Sequence, residues 1–408
     1  MARNLDVFLN ERRVGQLQQD DTGALWFSYS GAWLGEEGAV PLSISLPLRS
    51  EPFQSNECRP FFAGLLPEET SRELIAKAFG VSDKNDFAIL ERIGGECAGA
   101  VSLMPPGENP VEGSGSYREI SADELAGKIA ELPRRPLLAG QEGIRLSLAG
   151  AQGKLAIAIF GGRFFLPLDG SPSTHILKPQ GPHFEGLVEN EFFCMRLAAL
   201  AGLEVAAVEI GVAGGTRFLQ VERYDRKPRD GDIPERIHQE DFCQALGIPP
   251  ELKYQQESDP NIKQCFDLVR AVSSQPGPDL LRLFDSVVFN HLIGNNDAHG
   301  KNYSLLHDRE AIQLAPLYDL VCTLAYPGLA AESAMKIGGE RKPHRVTAKN
   351  WLKLFNDAGL GPAVAMRRLK GMAGTITKIV RKIDPVSPGW NEVSPIVLAN
   401  CARVVSLR

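Results

Sequence analysis

The chain has 408 residues, which is enough for two or three domains. Its hydrophobic content of 43% and charged content of 23% are ordinary for a folded globular protein. The net charge of -6 argues against a protein that binds nucleic acid by itself, although it leaves room for a local basic patch.

Seven cysteines are scattered along the chain, and no two of them form a C-x-x-C pair. An odd number without a pattern predicts buried thiols in a reducing cytosol rather than a disulfide framework or a zinc site. The first residues lack the apolar core of a secretory signal. No apolar run approaches the ~20 residues of a transmembrane helix. The sequence therefore predicts a cytoplasmic protein without a membrane partner.

The first hundred residues combine short strand patterns with short helix patterns. Alternating apolar residues predict strands at 5–9, 14–17, 25–29, 41–47 and 99–103, and helical periodicity predicts helices at 59–66, 71–79 and 84–93. We interpret residues 1–104 as one α+β subdomain. The Pro-, Gly- and Ser-rich residues 105–118 predict a linker.

The remaining chain changes from strands to helices. Residues 119–238 predict a β-rich lobe, with a helix opening at 121–124, a helix at 188–200 and strands at 145–148, 155–160, 163–166, 174–178, 205–210 and 216–221. Residues 239–408 predict a helical lobe with helices at 240–246, 260–274, 278–293, 347–357, 361–382 and 392–405. The predicted fold class is α+β, with a β-rich amino-terminal subdomain and a mostly helical carboxy-terminal lobe.

The polar loop within residues 290–305 contains side chains that suit phosphoryl transfer. Asp297 and Asn302 have the separation of the catalytic Asp and the metal-binding Asn in the kinase loop H-R-D-x-x-x-x-N, and Asp319 follows after a hairpin. Any one of these residues could only shape a turn. The three together favour a carboxylate that accepts a hydroxyl proton and two oxygen ligands for Mg²⁺. The D-x-H-x-x-N order around His299 is also that of lipid kinases.

Two segments earlier in the chain could contact phosphate. Lys178 ends a predicted strand, and Glu191, with Glu189 as a competitor, could pair with it. The small residues within 147–154 allow backbone N–H groups to approach phosphate, and Lys154 adds a cation. Solvated charges and an ordinary glycine turn remain open explanations. A basic stretch predicts either a contact to a phosphate backbone or a solvated loop; it contains Lys336, Arg341, Lys342, His344, Arg345 and Lys349.

Motifs distributed over almost the whole chain resemble the HipA family of bacterial toxin kinases. They are VGQL at 14–17, PLSISLPL at 41–48, FFAGLLPE at 61–68, GAVSL at 99–103, SLAGAQGK at 147–154, THILK at 174–178, ENE at 189–191, VERYDR at 221–226, QED at 239–241, NDAHGKN at 296–302 and LYD at 317–319. The match is long and ordered, so it is more specific than any single motif.

The resemblance implies a two-lobed, protein-kinase-like (HipA-like) core and ATP- and Mg²⁺-dependent serine/threonine kinase activity. It implies Asp297 as the catalytic residue, Asn302 and Asp319 on the metal, and Ser147 as an autophosphorylation site whose modification switches the enzyme off. The ATP-binding residues that it implies are Ala149, Gly150, Ala151, Gln152, Gly153, Lys154, Lys178, Glu222, Arg223, Tyr224, Gln239, His299, Gly300, Lys301, Asn302 and Tyr318. The implied partners are a HipB-like helix-turn-helix antitoxin, operator DNA reached through that antitoxin, and a translation factor, typically glutamyl-tRNA synthetase, as substrate.

Two positions depart from the family pattern. Gly153 replaces an acidic residue in the phosphate loop, and Ala298 and Gly300 are exchanged in the catalytic loop. Neither change removes a reacting group. The alternatives are a kinase-shaped corepressor that holds the antitoxin with little catalysis, and a lipid or small-molecule kinase.

Overall fold

The computed structural model describes residues 3–110, 115–181, 184–229, 232–254, 260–308 and 311–408. These residues contain fifteen strands: β1 Arg3–Leu9, β2 Arg12–Gln19, β3 Leu25–Tyr29, β4 Val101–Met104, β5 Ser116–Ile120, β6 Leu155–Phe160, β7 Arg163–Leu168, β8 His175–Pro179, β9 Val208–Ala213, β10 Thr216–Glu222, β11 Arg226–Arg229, β12 Asp232–Arg236, β13 His238–Asp241, β14 Ser304–Asp308 and β15 Ala311–Leu314.

The same described residues contain twelve α-helices: α1 Gly31–Leu34, α2 Ser55–Gly64, α3 Glu69–Phe79, α4 Asp86–Ile93, α5 Ala122–Glu131, α6 Leu187–Leu200, α7 Phe242–Ala245, α8 Ile262–Val272, α9 Pro276–Ile293, α10 Ala348–Asp357, α11 Pro362–Val380 and α12 Trp390–Val405. The chain divides into two compact units. The first comprises Met1–Pro179, Gly211–Pro250 and Leu306–Glu310, and the second comprises Gln180–Ile210, Glu251–Leu305 and Ala311–Arg408.

The first unit begins with an antiparallel sheet of order β3-β2-β1-β4. Strand β3 shows the alternation that defines a half-buried strand, because Leu25, Phe27 and Tyr29 are buried and the residues between them are more exposed. Phe61 and Phe62 of α2 are fully buried in the same core. Apolar burial on one face therefore accounts for this sheet and its helices.

A second sheet of the first unit has the order β5-β7-β6-β8-β10-β9. Strands β8 and β10 are antiparallel, with Lys178 opposite Leu219 and Glu222 opposite His175. Leu155 of β6 and Leu177 of β8 are fully buried in the core below them. The sheet thus fixes the two strand ends on which Lys178 and Glu222 lie.

Two of the predicted strands are wrong. Residues 41–47 contain only an isolated bridge between Ser43 and Leu46, and residues 145–148 contain only one between Glu96 and Leu146. The predicted helix at 240–246 is strand β13 followed by α7, whose N-cap is Asp241. Strands β5, β11 and β12 were not predicted. Strand β5 begins inside the expected linker, of which residues 111–114 lie outside the described residues.

The second unit is built from α6 and the helices from α8 to α12. Phe284 of α9 packs edge to face against Phe355 of α10, with ring centroids 5.6 Å apart, and Trp351 is fully buried beside Phe355. The burial of these rings explains the predicted helical periodicity in this part of the chain. Helix α9 matters most for function, because the polar loop starts at its end.

Candidate active site

The loop leaves helix α9 through a glycine. Helix α9 ends at Ile293, and Gly294 has the left-handed φ of +73° that favours glycine. A Cβ atom at Gly294 would lie 2.8 Å from Cδ1 of Leu324. The direction in which the chain enters the loop is therefore fixed by both backbone conformation and packing.

A single asparagine side chain connects the loop to two neighbouring segments. Oδ1 of Asn295 accepts the backbone N–H of Asp297 at 3.1 Å. Nδ2 of Asn295 donates to Oδ1 of Asn290 at 2.9 Å and to the carbonyl of Asp319 at 3.5 Å. Asn295 thereby holds the backbones of Asp297 and Asp319 in one frame. Sequence reasoning missed it, although a polar residue directly after a helix-ending glycine was a usable signal.

The predicted catalytic residue and the predicted amide ligand belong to one short turn. Asp297 is exposed, and its Oδ1 accepts the phenol O–H of Tyr254 at 3.0 Å. The backbone N–H of Asn302 donates to the carbonyl of His299 at 3.0 Å, and its Nδ2 lies 3.4 Å from the carbonyl oxygen of Asp297. The 3₁₀ turn Gly300–Asn302 follows His299, which is buried. Local hydrogen bonds therefore bring Asp297 and Asn302, five residues apart in sequence, into the same turn.

The second carboxylate lies in a constrained backbone. Asp319 has a φ of +56°, a left-handed conformation that Asp tolerates better than most residues. The preceding Tyr318 donates its O–H to the carbonyl of Lys301 at 2.7 Å, and its hydroxyl is also 2.7 Å from Oγ of Ser304. Tyr318 and Asn295 thus tie the Asp319 segment to the loop. Backbone strain of this kind is frequent at functional sites.

The side chains at these two predicted metal positions offer oxygen atoms of the type that a magnesium ion prefers. Asn302 offers an amide oxygen and Asp319 a carboxylate, the hard oxygen donors that Mg²⁺ prefers. Within the described ranges, no group of three or more His, Cys, Asp or Glu side chains is arranged to hold a metal ion. A site with one carboxylate and one amide is completed by phosphate oxygens and water, which is how Mg²⁺ is usually bound beside a nucleotide.

In the first unit, the predicted phosphate loop is held by the turn between α2 and α3. Ser147 is fully buried, and its Oγ donates to the carbonyl of Leu65 at 2.8 Å. The backbone N–H of Glu68 donates to the carbonyl of Gly150 at 3.3 Å, and Oγ of Ser71 donates to the carbonyl of Ala151 at 3.2 Å. These contacts of the amino-terminal subdomain were not predicted, because they depend on backbone groups rather than on a motif.

The glycines of the phosphate loop are not equivalent. Gly150 has a φ of +105°, and a Cβ atom there would lie 2.7 Å from Nζ of Lys154, which donates to the carbonyl of Ala149. The backbone conformation therefore favours glycine at position 150, whereas the end of the flexible Lys154 side chain could move aside. A Cβ at Gly153 would meet nothing within 4 Å. The departure from the family pattern at Gly153 consequently does not arise from crowding. Half-buried Gln152 completes the predicted loop.

The predicted adenine-contacting segment ends strand β10. Glu222 is exposed, and the O–H of Tyr224 donates to Oε1 of Gln239 at 2.6 Å. Arg223 differs, because its side chain is buried and its backbone N–H donates to the carbonyl of Thr174 at 2.9 Å. A ligand could therefore meet Glu222, Tyr224 and Gln239 but not the Arg223 guanidinium.

Arg223 instead belongs to a buried charge cluster, which consists of Glu96, Arg223, Asp225, Arg226 and Arg236. Glu96 accepts from Arg223 at 2.8 Å and from Arg226 at 2.7 Å, while Asp225 accepts from Arg223 at 2.8 Å. Arg236 donates to the carbonyls of Gly99 and Val101. The cluster connects the start of β4 to the segment after β10, and nothing in the sequence pattern predicted it.

The electrostatics of the cluster keep both acids ionised. Burial by itself would raise the pKa of Glu96, but the attraction of Arg223, Arg226 and Arg236 outweighs burial and lowers it. Burial likewise opposes ionisation of Asp225, yet its neighbouring arginines hold its pKa well below the usual range. Burial lowers the pKa of Arg236 to about 10, so that its guanidinium is still protonated at neutral pH.

The residues of the predicted ion pair, Lys178 and Glu191, are both buried. Lys178 is 7% exposed in the first unit, and Glu191 is 1% exposed in the second. Buried charges of these types are rare unless they are paired. Glu189, the competing carboxylate, is half-buried. The pairing of Lys178 with Glu191 stays a prediction.

The basic stretch of the second unit is partly neutralised. Glu332 lies 4.0 Å from Arg341 and 3.8 Å from Lys342. Downstream, Arg345 and Lys349 are exposed. A solvated face explains these residues without a nucleic-acid contact.

Comparisons with known proteins agree with this architecture. The model for the HipA N-terminal domain matches residues 5–104, and the model for the HipA-like C-terminal domain matches residues 146–383. The protein Y4mE of Sinorhizobium fredii is 49% identical over 94% of this chain and 92% of its own length. The serine/threonine-protein kinase toxin HipA of Shewanella oneidensis is 31% identical over 95% of this chain and 91% of its own length.

A solved structure extends the match to the fold. The structure of the Shewanella oneidensis toxin–antitoxin complex of HipA, HipB and operator DNA contains a chain that matches with a TM-score of 0.85 and 30% identity. The match covers 99% of this chain and 98% of that one. The predicted α+β, kinase-like fold class is confirmed. The match to relatives named as kinases identifies a protein serine/threonine kinase. The chain belongs to the HipA family.

Two expectations about compartment can be compared with the structure. All seven cysteines are buried thiols, as predicted. Among the helices of the described residues, none has the length and apolar character needed to cross a bilayer. Kinase homology indicates the use of a nucleotide and a metal in general.

Proposed function

We propose that the protein is an ATP- and Mg²⁺-dependent serine/threonine kinase that arrests growth by phosphorylating a translation component, such as glutamyl-tRNA synthetase. The observation that carries the proposal is the frame around Asn295, which joins the backbones of Asp297 and Asp319. A kinase needs a base and a metal carboxylate held in one fixed arrangement. A binding scaffold has no need of such a frame.

In this proposal, each predicted site residue has a specific role in phosphoryl transfer. Asp297 accepts the proton of the attacking hydroxyl, and Asn302 and Asp319 would hold Mg²⁺, which neutralises charge on the phosphates when bound. The backbone of the loop from Ala149 to Lys154 binds phosphate oxygens. Lys178 adds a cation. The remaining ATP contacts come from Glu222, Tyr224, Gln239, His299, Gly300, Lys301 and Tyr318, and from Arg223 through its backbone.

Partners follow from the same family. The related HipA was solved with HipB and operator DNA. We propose that this chain likewise binds a HipB-like helix-turn-helix antitoxin and reaches operator DNA through it. The net charge of -6 fits indirect rather than autonomous DNA binding. We further propose that it acts in the cytoplasm, where buried thiols stay reduced.

Mass spectrometry can test the proposal directly. The phosphatase-treated chain is incubated with ATP and Mg²⁺, with and without glutamyl-tRNA synthetase, and phosphopeptides are mapped. We expect phosphate on the synthetase and on Ser147, and none with ADP or with EDTA. A chain that binds a HipB-like antitoxin but transfers no phosphate to itself or to the synthetase would instead support the corepressor alternative.

The burial of Ser147 gives this residue a second, separable prediction. Replacing Ser147 by Ala removes one buried hydrogen bond and is expected to cost about 1 kcal/mol of stability while ATP affinity stays within about threefold. Replacing Ser147 by Glu puts a charge where the hydroxyl contacts the Leu65 carbonyl. The loop must then leave this position, so ATP affinity should fall at least about tenfold.

Titration with a fluorescent ATP analogue measures both variants. The glutamate variant mimics the phosphorylated serine and reports how self-inactivation works. Equal ATP affinity of S147E and the wild type would contradict this mechanism, even if Ser147 is phosphorylated.

A further inference from the structure

Tyr254 is unusually well fixed for an exposed aromatic residue. Tyr254 is 41% exposed, yet three other side chains of the second unit contact it. Its O–H donates to Oδ1 of Asp297 at 3.0 Å. The ring packs edge to face on His299 at 5.2 Å, and Nζ of Lys253 lies 5.0 Å from the ring centroid. Two of the three contacts are therefore with the catalytic loop.

The position of the phenol oxygen has a chemical meaning. A hydroxyl that attacks the γ-phosphoryl group donates its hydrogen to the catalytic carboxylate from about 2.6–3.2 Å. The Tyr254 hydroxyl makes this same contact with Asp297. The ring contacts with His299 and Lys253 hold the phenol there, since edge-to-face and cation–π contacts both restrict its orientation.

We infer that Tyr254 occupies the place of the acceptor hydroxyl and must be displaced by the protein substrate before phosphoryl transfer. The inference deepens the proposed function, because it rests on Asp297 as the base. It assigns Tyr254 a positioning role: while no protein acceptor is bound, the phenol occupies Oδ1 of the exposed Asp297 and keeps water from taking this one place on the carboxylate. A water bound at this place would give its proton to Asp297 and attack ATP, and the phenol opposes that loss.

The side reaction is the hydrolysis of ATP by a water molecule at Asp297. Water replaces the phenol at Asp297 and attacks the γ-phosphorus atom. A new O–P bond forms, the bond between the γ-phosphorus and the β,γ-bridging oxygen breaks, and ADP leaves. The proton of the water passes to Asp297 and then to solvent. The products are ADP and inorganic phosphate, and no redox partner is involved.

The test removes only the hydroxyl. Tyr254→Phe keeps the ring against His299, and phosphate release from Mg²⁺·ATP is measured without any protein acceptor. All proteins compared in this assay carry Ser147→Ala, so that self-phosphorylation does not switch the enzyme off. We expect hydrolysis to rise about tenfold, the effect of releasing one hydrogen bond to a charged group. Asp297→Ala should abolish the increase in the double variant. Tyr117→Phe is the matched control, because it removes a hydroxyl bond to the Pro172 carbonyl in the first unit and should leave hydrolysis unchanged.

The outcomes separate this inference from the proposed function. Phosphate on Ser147 in parallel samples that keep this serine reports whether the chain is a kinase at all. If Ser147 is phosphorylated while Y254F hydrolyses ATP no faster than the protein with Tyr254, the inference that Tyr254 occupies the place of the acceptor hydroxyl is overturned. The proposed kinase activity is then unaffected. Phosphate found on Tyr254 itself would also overturn it, because Tyr254 would then be an acceptor.

A double-mutant cycle on thermal unfolding tests the contact without any catalysis. The midpoint shifts of Tyr254→Phe and Asp297→Ala should not add in the double variant, because each substitution removes the same hydrogen bond. Additive shifts would show that the contact is not made in solution, and the inference would be abandoned.

Discussion

Replacing Asp297 by Asn is expected to lower phosphoryl transfer about 10²- to 10⁴-fold, the usual contribution of a positioned general base. Asn keeps the size and shape of the side chain and can still accept the Tyr254 hydroxyl. It cannot take the proton from an attacking serine or threonine. ATP affinity should therefore change less than about threefold, and the loss should appear in kcat.

The control for this substitution is another exposed aspartate of the second unit. Asp267 pairs with Lys263 and with Arg270 on helix α8. Asp267→Asn removes the same charge and should leave transfer unchanged. Initial rates of phosphate incorporation into glutamyl-tRNA synthetase and into Ser147 measure both variants. A D297N enzyme that keeps more than a tenth of the wild-type rate would remove Asp297 from the role of base.

The sequence offered candidates for the reacting groups, because the types and separations of such groups are set by chemistry. The frame that holds them could not be predicted in this way. Asn295 acts through hydrogen bonds to Asn290 and Asp319, and Tyr318 acts through the carbonyl of Lys301. Amide and hydroxyl side chains that bond to distant backbone have no periodicity, so they look like ordinary loop residues.

The wrong strand at 41–47 shows a related limit. The apolar alternation is real, but the backbone groups are satisfied by side chains rather than by a neighbouring strand. The N–H of Leu42 donates to the hydroxyl of Tyr29 at 2.7 Å, and the N–H of Ile44 donates to Oε1 of Glu240 at 3.0 Å. Sequence pattern reports which residues are buried; it does not report what their backbone meets.

Charged residues show a second limit. No pattern singled out Glu96, and Arg223 was assigned to the nucleotide. Both are buried, and Glu96 pairs with Arg223 and with buried Arg226. A buried cluster can be inferred only when partners from distant parts of the chain are known to meet, and no single segment contains that information.

Replacing Glu96 by Ala is expected to destabilise the protein by about 3–5 kcal/mol, because it leaves buried arginines without their shared partner. Glu96 is completely buried and accepts from Arg223, Arg226 and Ser173. Glu96→Gln keeps the shape but removes the charge, so its cost at pH 7 should be smaller than that of Ala. The control is Glu119→Gln, whose ion pair with Arg163 is exposed and should contribute less than about 1 kcal/mol.

The pH dependence identifies the charge as the cause. The pKa of Glu96 is lowered in the folded protein, so its ionised form contributes stability above the unfolded pKa of about 4.3. That contribution declines as pH falls below this value and is lost when pH passes the folded pKa. Asp225, whose pKa is also lowered, acts in the same direction. At pH 7, the free energy of unfolding measured in urea should therefore be clearly larger for the wild type than for E96Q.

The difference between the two proteins should narrow steadily below about pH 4, because the wild-type carboxyl then binds a proton during unfolding and E96Q has none to bind at this position. A difference that stays constant with pH would mean that Glu96 stabilises the fold by packing rather than by charge.

The charge cluster also adjoins the predicted adenine-contacting segment, because Arg223 lies between Glu222 and Tyr224 in the chain. Loss of the Glu96 contact should therefore weaken ATP binding in the folded fraction of E96Q. Nucleotide affinity then reports whether this charge cluster positions the predicted adenine-contacting segment as well as stabilising the unit that contains it.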